Sequence, residues 1–212
     1  MVLILRSDKI KKKELEIKLQ KLEPHPNPSP ELEQYMTPGD IAASLLYLAH
    51  SHGSIKGKKI YDLGCGTGRL AIGAALLGGK KIIGVDIDGE ALKIAKKNSA
   101  QADVENIEWI RADVSNLELP ETDTVIQNPP FGVQKKGADM VFLNKALQFG
   151  KDVYSIHKGV PKNRDYISEQ VKELGGRITN RIEKEFHIPS QFKYHTRKVY
   201  RFKVDLYRII RR

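Results

Sequence analysis

Residues 61–68 read Tyr61-Asp62-Leu63-Gly64-Cys65-Gly66-Thr67-Gly68, and this run decides the fold. The residues that lead into it, Lys59 to Leu63, lean towards β structure, and those that follow, Leu70 to Leu77, carry an apolar helical pattern. A strand, a glycine turn and a helix in that order are the context of a nucleotide-binding fingerprint. Glycine accepts the tight turn and lets backbone approach a ligand closely. A second strand, Lys81 to Val85, ends in Asp86-Ile87-Asp88. Asp86 lies close to the spacing of about 20 residues at which a carboxylate receives ribose hydroxyls.

Outward from this unit, strands and helices alternate. Strands are expected at 59–63, 81–86, 107–111, 123–127 and 152–157, with helices near 68–77, 89–101, 139–149 and 163–174. Alternation implies a parallel sheet with helices on both faces. After Gly175-Gly176 the period becomes two. Ile182, Phe186 and Ile188 share one face of a strand, and Tyr200, Phe202, Val204 and Leu206 share one face of another. The expected class is α/β: a Rossmann-like, doubly wound, mostly parallel seven-stranded sheet with an antiparallel C-terminal strand pair. The 212 residues are expected to form one domain, with an N-terminal helix and Pro-rich connector over 1–30 and the core over 31–212. Leu15, Leu19 and Leu22 mark one face of that helix, and the prolines between Pro24 and Pro30 make a semi-rigid connector. Thr37 reads as the N-cap of a further helix running to about Ala49, with Pro38 at its first position.

Composition narrows the function class. No run approaches the roughly 20 apolar residues of a membrane helix. Met1 to Arg6 is apolar but too short for a signal peptide. The single cysteine, Cys65, excludes an internal disulfide and fits a reducing, cytoplasmic setting. Inside the glycine loop it reads as packing rather than as a nucleophile. The six histidines have no metal-ligand spacing, so no metal site is expected. Lys and Arg number 36 against 26 Asp and Glu, a formal charge of +10. Such an excess favours a polyanionic partner, nucleic acid above all. The alternative is a solvated, charge-rich surface of a heat-stable protein. Candidate contacts are Lys11-Lys12-Lys13, Lys135, Lys136, Lys158, Lys162, Arg164 and a basic tail that includes Lys193, Lys198, Arg201, Lys203, Arg208 and Arg211.

The glycine loop also selects its ligand. Asp62 precedes the first glycine and would repel a pyrophosphate, yet would welcome an ammonium or sulfonium. The Gly-Lys-Ser/Thr of a P-loop is missing. S-adenosyl-L-methionine carries both cations and a ribose for Asp86. The expected cofactor set includes Asp62, Gly64, Cys65, Gly66, Gly68, Asp86 and Ile87. Asp113 and Val114, just past the third strand, complete it. Asp113 is placed to accept from the adenine amine, and reads equally as a loop or capping residue.

The chemistry falls to Gln127-Asn128-Pro129-Pro130-Phe131-Gly132. A residue before proline is pushed out of the helical region, and each proline fixes φ and removes an N–H. The result is a stiff corner with free carbonyls, an amide at one end and an aromatic ring at the other. Asn128 Oδ1 and the Pro129 carbonyl can accept the two hydrogens of a planar –NH2 while Phe131 stacks on its face. A strand-ending turn is the bland alternative. Against it, Asp62, Asp86, Asp113 and Asn128 all fall at carboxyl ends of strands, where such sheets bind ligands.

These motifs resemble the class I S-adenosylmethionine-dependent methyltransferases of the amino-group type. More narrowly, the chain is similar to methyltransferase-like protein five, the adenine N6-methyltransferase of small-subunit ribosomal RNA, and its archaeal relatives. Leu32-Glu33-Gln34-Tyr35 with Thr37, Asp139-Met140, Val153-Tyr154-Ser155-Ile156-His157-Lys158, and Pro189 with Lys193, His195 and Lys198 carry the narrower likeness. The resemblance implies that Gln34, Tyr35 and Thr37 cover the methionine end of the cofactor, although Tyr35 also reads as a packed aromatic. It implies that Asn128, Pro129, Pro130 and Phe131 are catalytic. It places RNA on Lys135, Lys136, Lys158, Lys193, His195 and Lys198, and implies a flipped or unpaired target base. It further implies a small zinc-containing activator protein as partner. The same corner would serve a protein-glutamine N5-methyltransferase or a guanine N2-methyltransferase, and an idle cofactor-fold RNA-binding protein is the alternative from another class.

Overall fold

The computed structural model describes residues 10–132, 134–189 and 199–211. In chain order its elements are α1 (Lys12–Gln20), α2 (Gly39–Ser51), β1 (Lys59–Leu63), α3 (Arg69–Leu76), β2 (Lys81–Asp86), α4 (Gly89–Gln101) and β3 (Ile107–Arg111). A 3-10 turn at Val114–Asn116 leads to β4 (Thr122–Gln127), α5 (Ala138–Phe149), β5 (Gly150–Lys158), α6 (Pro161–Glu173), β6 (Gly176–Pro189) and β7 (Val199–Arg211). The sheet runs β3-β2-β1-β4-β5-β7-β6. The first five strands are mutually parallel, and β7 lies antiparallel between β5 and β6. This is the expected α/β class.

Side chains alternate across the strands, so each strand feeds two cores. Ile60, Ile82, Ile126, Tyr154 and Leu206 pack with α1, α2 and α3 on one face. Their neighbours Tyr61, Ile83, Val125, Val153 and Tyr207 pack with α5 and α6 on the other. Leu15 and Leu19 of α1 are fully buried in the first core, and Leu22, just past the helix, closes the same face. Strands buried on both faces read as continuous apolar runs, which is why β1 and β2 lie where the sequence places them.

Three expectations change. Pro38, not Thr37, holds the N-cap position of α2, and the Gly39 N–H at that end donates to Gln20 Oε1 of α1 at 2.9 Å. Thr37 turns its hydroxyl towards Asn128 instead. Helix α6 begins at Pro161, two residues ahead of the expected start, with proline in the first turn where its missing N–H costs nothing. On β6, Phe186 is buried but Ile182 is 37% exposed, because β6 is the edge of the sheet.

The C-terminal hairpin is tied to the body by charge. Arg164 of α6 donates to both carboxylate oxygens of the buried Asp205 on β7, at 2.7 and 3.0 Å, and to Glu183 on β6 at 2.6 Å. Bidentate bonds of this kind hold direction as well as distance. Arg201, Lys203, Arg208 and Arg211 are likewise paired, with Glu185, Glu183, Asp152 and Glu121. Arg164 and these tail cations, expected as nucleic-acid contacts, thus each face an acid of their own chain. Lys193, His195 and Lys198 lie outside the described residues.

Candidate active site

Topology brings the candidates together. The sheet reverses its winding between β1 and β4, and the crevice outside their carboxyl ends is where such sheets bind ligands. A cavity of about 320 Å³ opens there. Its walls include Asp62, Gly64, Cys65 and Gly66 after β1, Asp86 and Ile87 after β2, Asp113 and Val114 after β3, and Asn128 and Pro130 after β4. Gln34, Tyr35 and Thr37 form the opposing wall, and Lys135 lies at its side. Among the expected cofactor residues only Gly68 lies behind the lining.

The loop is held by backbone. Gly64 and Cys65 both donate N–H to the Val85 carbonyl, at 2.8 and 2.9 Å. Gly66 donates to Asp86 Oδ2 at 2.7 Å, and Asp88 donates to Asp86 Oδ1 at 2.9 Å. Burial raises the Asp86 pKa above the ordinary carboxylate value, despite these donors. Gly68 has φ +87°, and a Cβ there would stand 2.6 Å from Trp109. Gly66 has φ +53°, and a Cβ there would meet nothing within 4 Å. One glycine is required by packing, the other opens on the cavity. The Cys65 thiol is buried, and burial, with the charges of Asp62 and Asp86, keeps its pKa high. A protonated thiol fits its packing role.

Asp62 is 1% exposed. Its Oδ2 accepts from the Ala71 N–H at 2.9 Å, while Oδ1 is buried without a partner. Burial, reinforced by the charge of Asp86, pushes its pKa up to about 8. An acid in this state has one strong acceptor reserved for a cationic donor. Asp113 has the capping role expected as one of its two readings, and it also lines the cavity. Its Oδ1 caps the 3-10 turn through Ser115 N and Oγ, each at 2.8 Å, while the residue lines the cavity. The Ser115 bonds lower its pKa, so it stays ionised.

Asn128 Nδ2 donates to Thr37 Oγ1 at 2.9 Å, leaving Oδ1 buried and unpartnered. Beneath it, Gln127 Nε2 donates to Ser155 Oγ at 3.0 Å, and Ser155 meets His157 Nε2 at 2.8 Å. The Tyr154–Lys158 run is therefore a buried prop under the corner, with Lys158 at the strand end. Pro129 and Phe131 lie outside the cavity lining. Phe131 stands edge-on to Phe186 and Phe202, with ring centroids 5.7 and 5.5 Å away.

Sequence reasoning missed three contributors. Glu33, 7% exposed and at φ +49°, accepts from the Phe131 N–H at 2.7 Å and the Gln134 N–H at 2.8 Å, fixing the loop after the prolines. A left-handed, buried glutamate is costly backbone, and such strain persists where the surroundings over-determine it. His25 and Gln34 both reach Asp88 Oδ2, at 3.0 and 2.7 Å. Gln34 thus stitches the connector to the cap of α4 while lining the cavity with Tyr35 and Thr37. The third is Arg69, 5% exposed, whose Nη1 donates to the Thr37 carbonyl.

A family model described as a methyltransferase domain matches residues 54–199. The chain belongs to this methyltransferase family. The methyltransferase is 37% identical to the rRNA N(6)-adenosine-methyltransferase Mettl5 of Drosophila melanogaster, over 94% of this chain and 96% of that one. It is 42% identical to an uncharacterized protein of Methanocaldococcus jannaschii, over 94% of each. Its structure is similar to the crystal structure of a candidate RNA methyltransferase from Pyrococcus horikoshii, with a TM-score of 0.90 and 44% identity over 95% of this chain and 98% of that one. Among the described residues of the methyltransferase, no helix is long and apolar enough to cross a membrane.

Proposed function

We propose that this methyltransferase uses S-adenosyl-L-methionine to methylate the exocyclic N6 amine of an adenosine in ribosomal RNA, that of the small subunit. The observation that carries this reading is the Asn128 Oδ1, buried and without a partner among the described residues, on a residue that is oriented by Thr37 and lines the same cavity as Asp62, whose Oδ1 is equally unpartnered. The residues fit the cofactor: Gly66 leaves room for close approach, Asp62 suits its ammonium, Asp86 its ribose and Asp113 its adenine amine. When bound, the cofactor supplies an electrophilic methyl carbon on a cationic sulfur.

The chain's own residues do the rest. An aromatic amine is a poor nucleophile because its lone pair is delocalised into the ring. Asn128 Oδ1 and the Pro129 carbonyl accept its two hydrogens and favour a pyramidal nitrogen. This is positioning and electrostatics aimed at the transition state. Phe131, held by Phe186 and Phe202, gives the base a ring to stack on, and the base must leave any helix to reach it. Lys135, Lys136 and Lys158 lie around the corner in this reading and bind phosphates, with Lys193, His195 and Lys198 adding to them. Residues 1–212 act as a single cytoplasmic domain, and the likeness to methyltransferase-like protein five adds a small zinc-containing activator as partner.

Transfer of labelled methyl to unmethylated small-subunit rRNA, followed by nucleoside analysis, tests the reading. N6-methyladenosine at one position supports it. N2-methylguanosine overturns the base, and transfer only to a protein glutamine overturns the polymer.

A further inference from the structure

Arg69 is the first residue of α3, a place where a cation is opposed by the helix dipole. It is also 5% exposed, and burial lowers its pKa to about 10, which still leaves it charged at neutral pH. No carboxylate of the described residues pairs with it. Among the described residues its one hydrogen-bond partner is the neutral Thr37 carbonyl, and its Nε is buried without any. A buried guanidinium at a helix N-terminus with no anion is a site that lacks its counter-charge. Arg69 lines the same cavity as Asp62. Thus one cavity wall carries an uncompensated cation and an acceptor awaiting a cation, which is the complement of an amino-acid zwitterion.

We propose that Arg69 binds the carboxylate of the cofactor's methionine moiety, in the cavity that also holds the Asp62 subsite for its ammonium. This rests on the cofactor reading above. The bond has a second consequence. Arg69 holds the Thr37 carbonyl, and the Thr37 hydroxyl orients the Asn128 amide, so the carboxylate subsite and the catalytic oxygen share one residue. A cofactor lacking the carboxylate would leave Arg69 uncompensated and the corner less firmly set.

The test is a binding cycle by calorimetry. S-adenosylmethionine and its decarboxylated analogue are titrated into the intact protein and into Arg69→Met and Arg69→Lys. The wild type should prefer the carboxylate form by tenfold or more, Arg69→Met should bind both forms alike, and Arg69→Lys should recover part of the preference. A merely structural Arg69 would weaken both ligands equally and keep the preference, and that result overturns the proposal. So does a wild type without preference, which needs no variant to fold. Failure of the wild type to bind either compound would instead overturn the cofactor reading, and this inference with it.

Discussion

Asn128 donates its amide hydrogen to the Thr37 hydroxyl at 2.9 Å, and this single bond, spanning 91 positions, decides which way the amide faces. With Nδ2 engaged, Oδ1 is the atom offered to the cavity. Asn128→Ala should lower kcat by about 10²- to 10³-fold, the scale seen for removing one preorganised polar group. Thr37→Ala should cost roughly fivefold in kcat, matching about 1 kcal/mol for one lost hydrogen bond. Cofactor affinity should change little in Asn128→Ala. Retained turnover there would exclude the corner as the catalytic device.

Asp62 predicts a pH dependence of cofactor binding. Its carboxyl, at about 8, is mostly protonated in the free site at pH 7. A cationic ligand requires it ionised, so binding releases a proton. Affinity should weaken by up to about tenfold per unit as pH falls below 8. Titrations in buffers of different ionisation heat measure the proton directly, and Asp62→Asn should abolish the release.

The same raised pKa affects stability in the absence of ligand. The folded chain keeps a proton that the unfolded chain gives up near pH 4, so Asp62 destabilises the fold increasingly as pH rises from about 4 to 8. Melting temperatures of wild type and Asp62→Asn should therefore diverge towards pH 8, with the variant gaining. Parallel curves would contradict the assignment.

Glu33 anchors two loop amides with one carboxylate. Glu33→Ala leaves both without an acceptor, a loss of about 2 to 4 kcal/mol if each charge-assisted bond contributes 1 to 2. Thermal melts should show it, and kcat should fall because the bonds fix the segment after Pro130.

The two open-loop glycines should respond differently. Gly68→Ala drives a methyl into Trp109 and should destabilise the fold by several kcal/mol. Gly66→Ala meets no protein atom, so its stability cost should stay near the 1–2 kcal/mol of a left-handed alanine while cofactor affinity drops tenfold or more. Equal melting temperatures for the two variants would refute this division of labour.

The parallel strands were legible because their signal is local: a run of apolar residues bounded by glycine or an acid. The cavity acids were legible because topology puts strand ends on one edge. Thr37 was misread because its sequence neighbourhood, a threonine before Pro38, is what an N-cap looks like, and nothing nearby announces Asn128. Glu33 was named only as part of a motif, and its anchoring role was hidden for a similar reason: its partners, Phe131 and Gln134, lie about a hundred residues on. Arg69 left one faint trace, a cation at the end of a helix that prefers anions. Phe131 was recognised as aromatic, yet only the register of β6 on β7, pairing Phe186 with Phe202, shows what holds its ring.

That register has a consequence for the order of assembly. Strand β7, which follows β6 in the chain, does not sit at the margin but fills the gap between β5 and β6. Until it emerges, β6 has no neighbour to pair with and Phe131 lacks Phe202. Domains made at a few residues per second spend measurable time in such incomplete states. The nascent chain can therefore complete its nucleotide-facing half early, while the corner that selects the amine waits for the thirteen residues of β7.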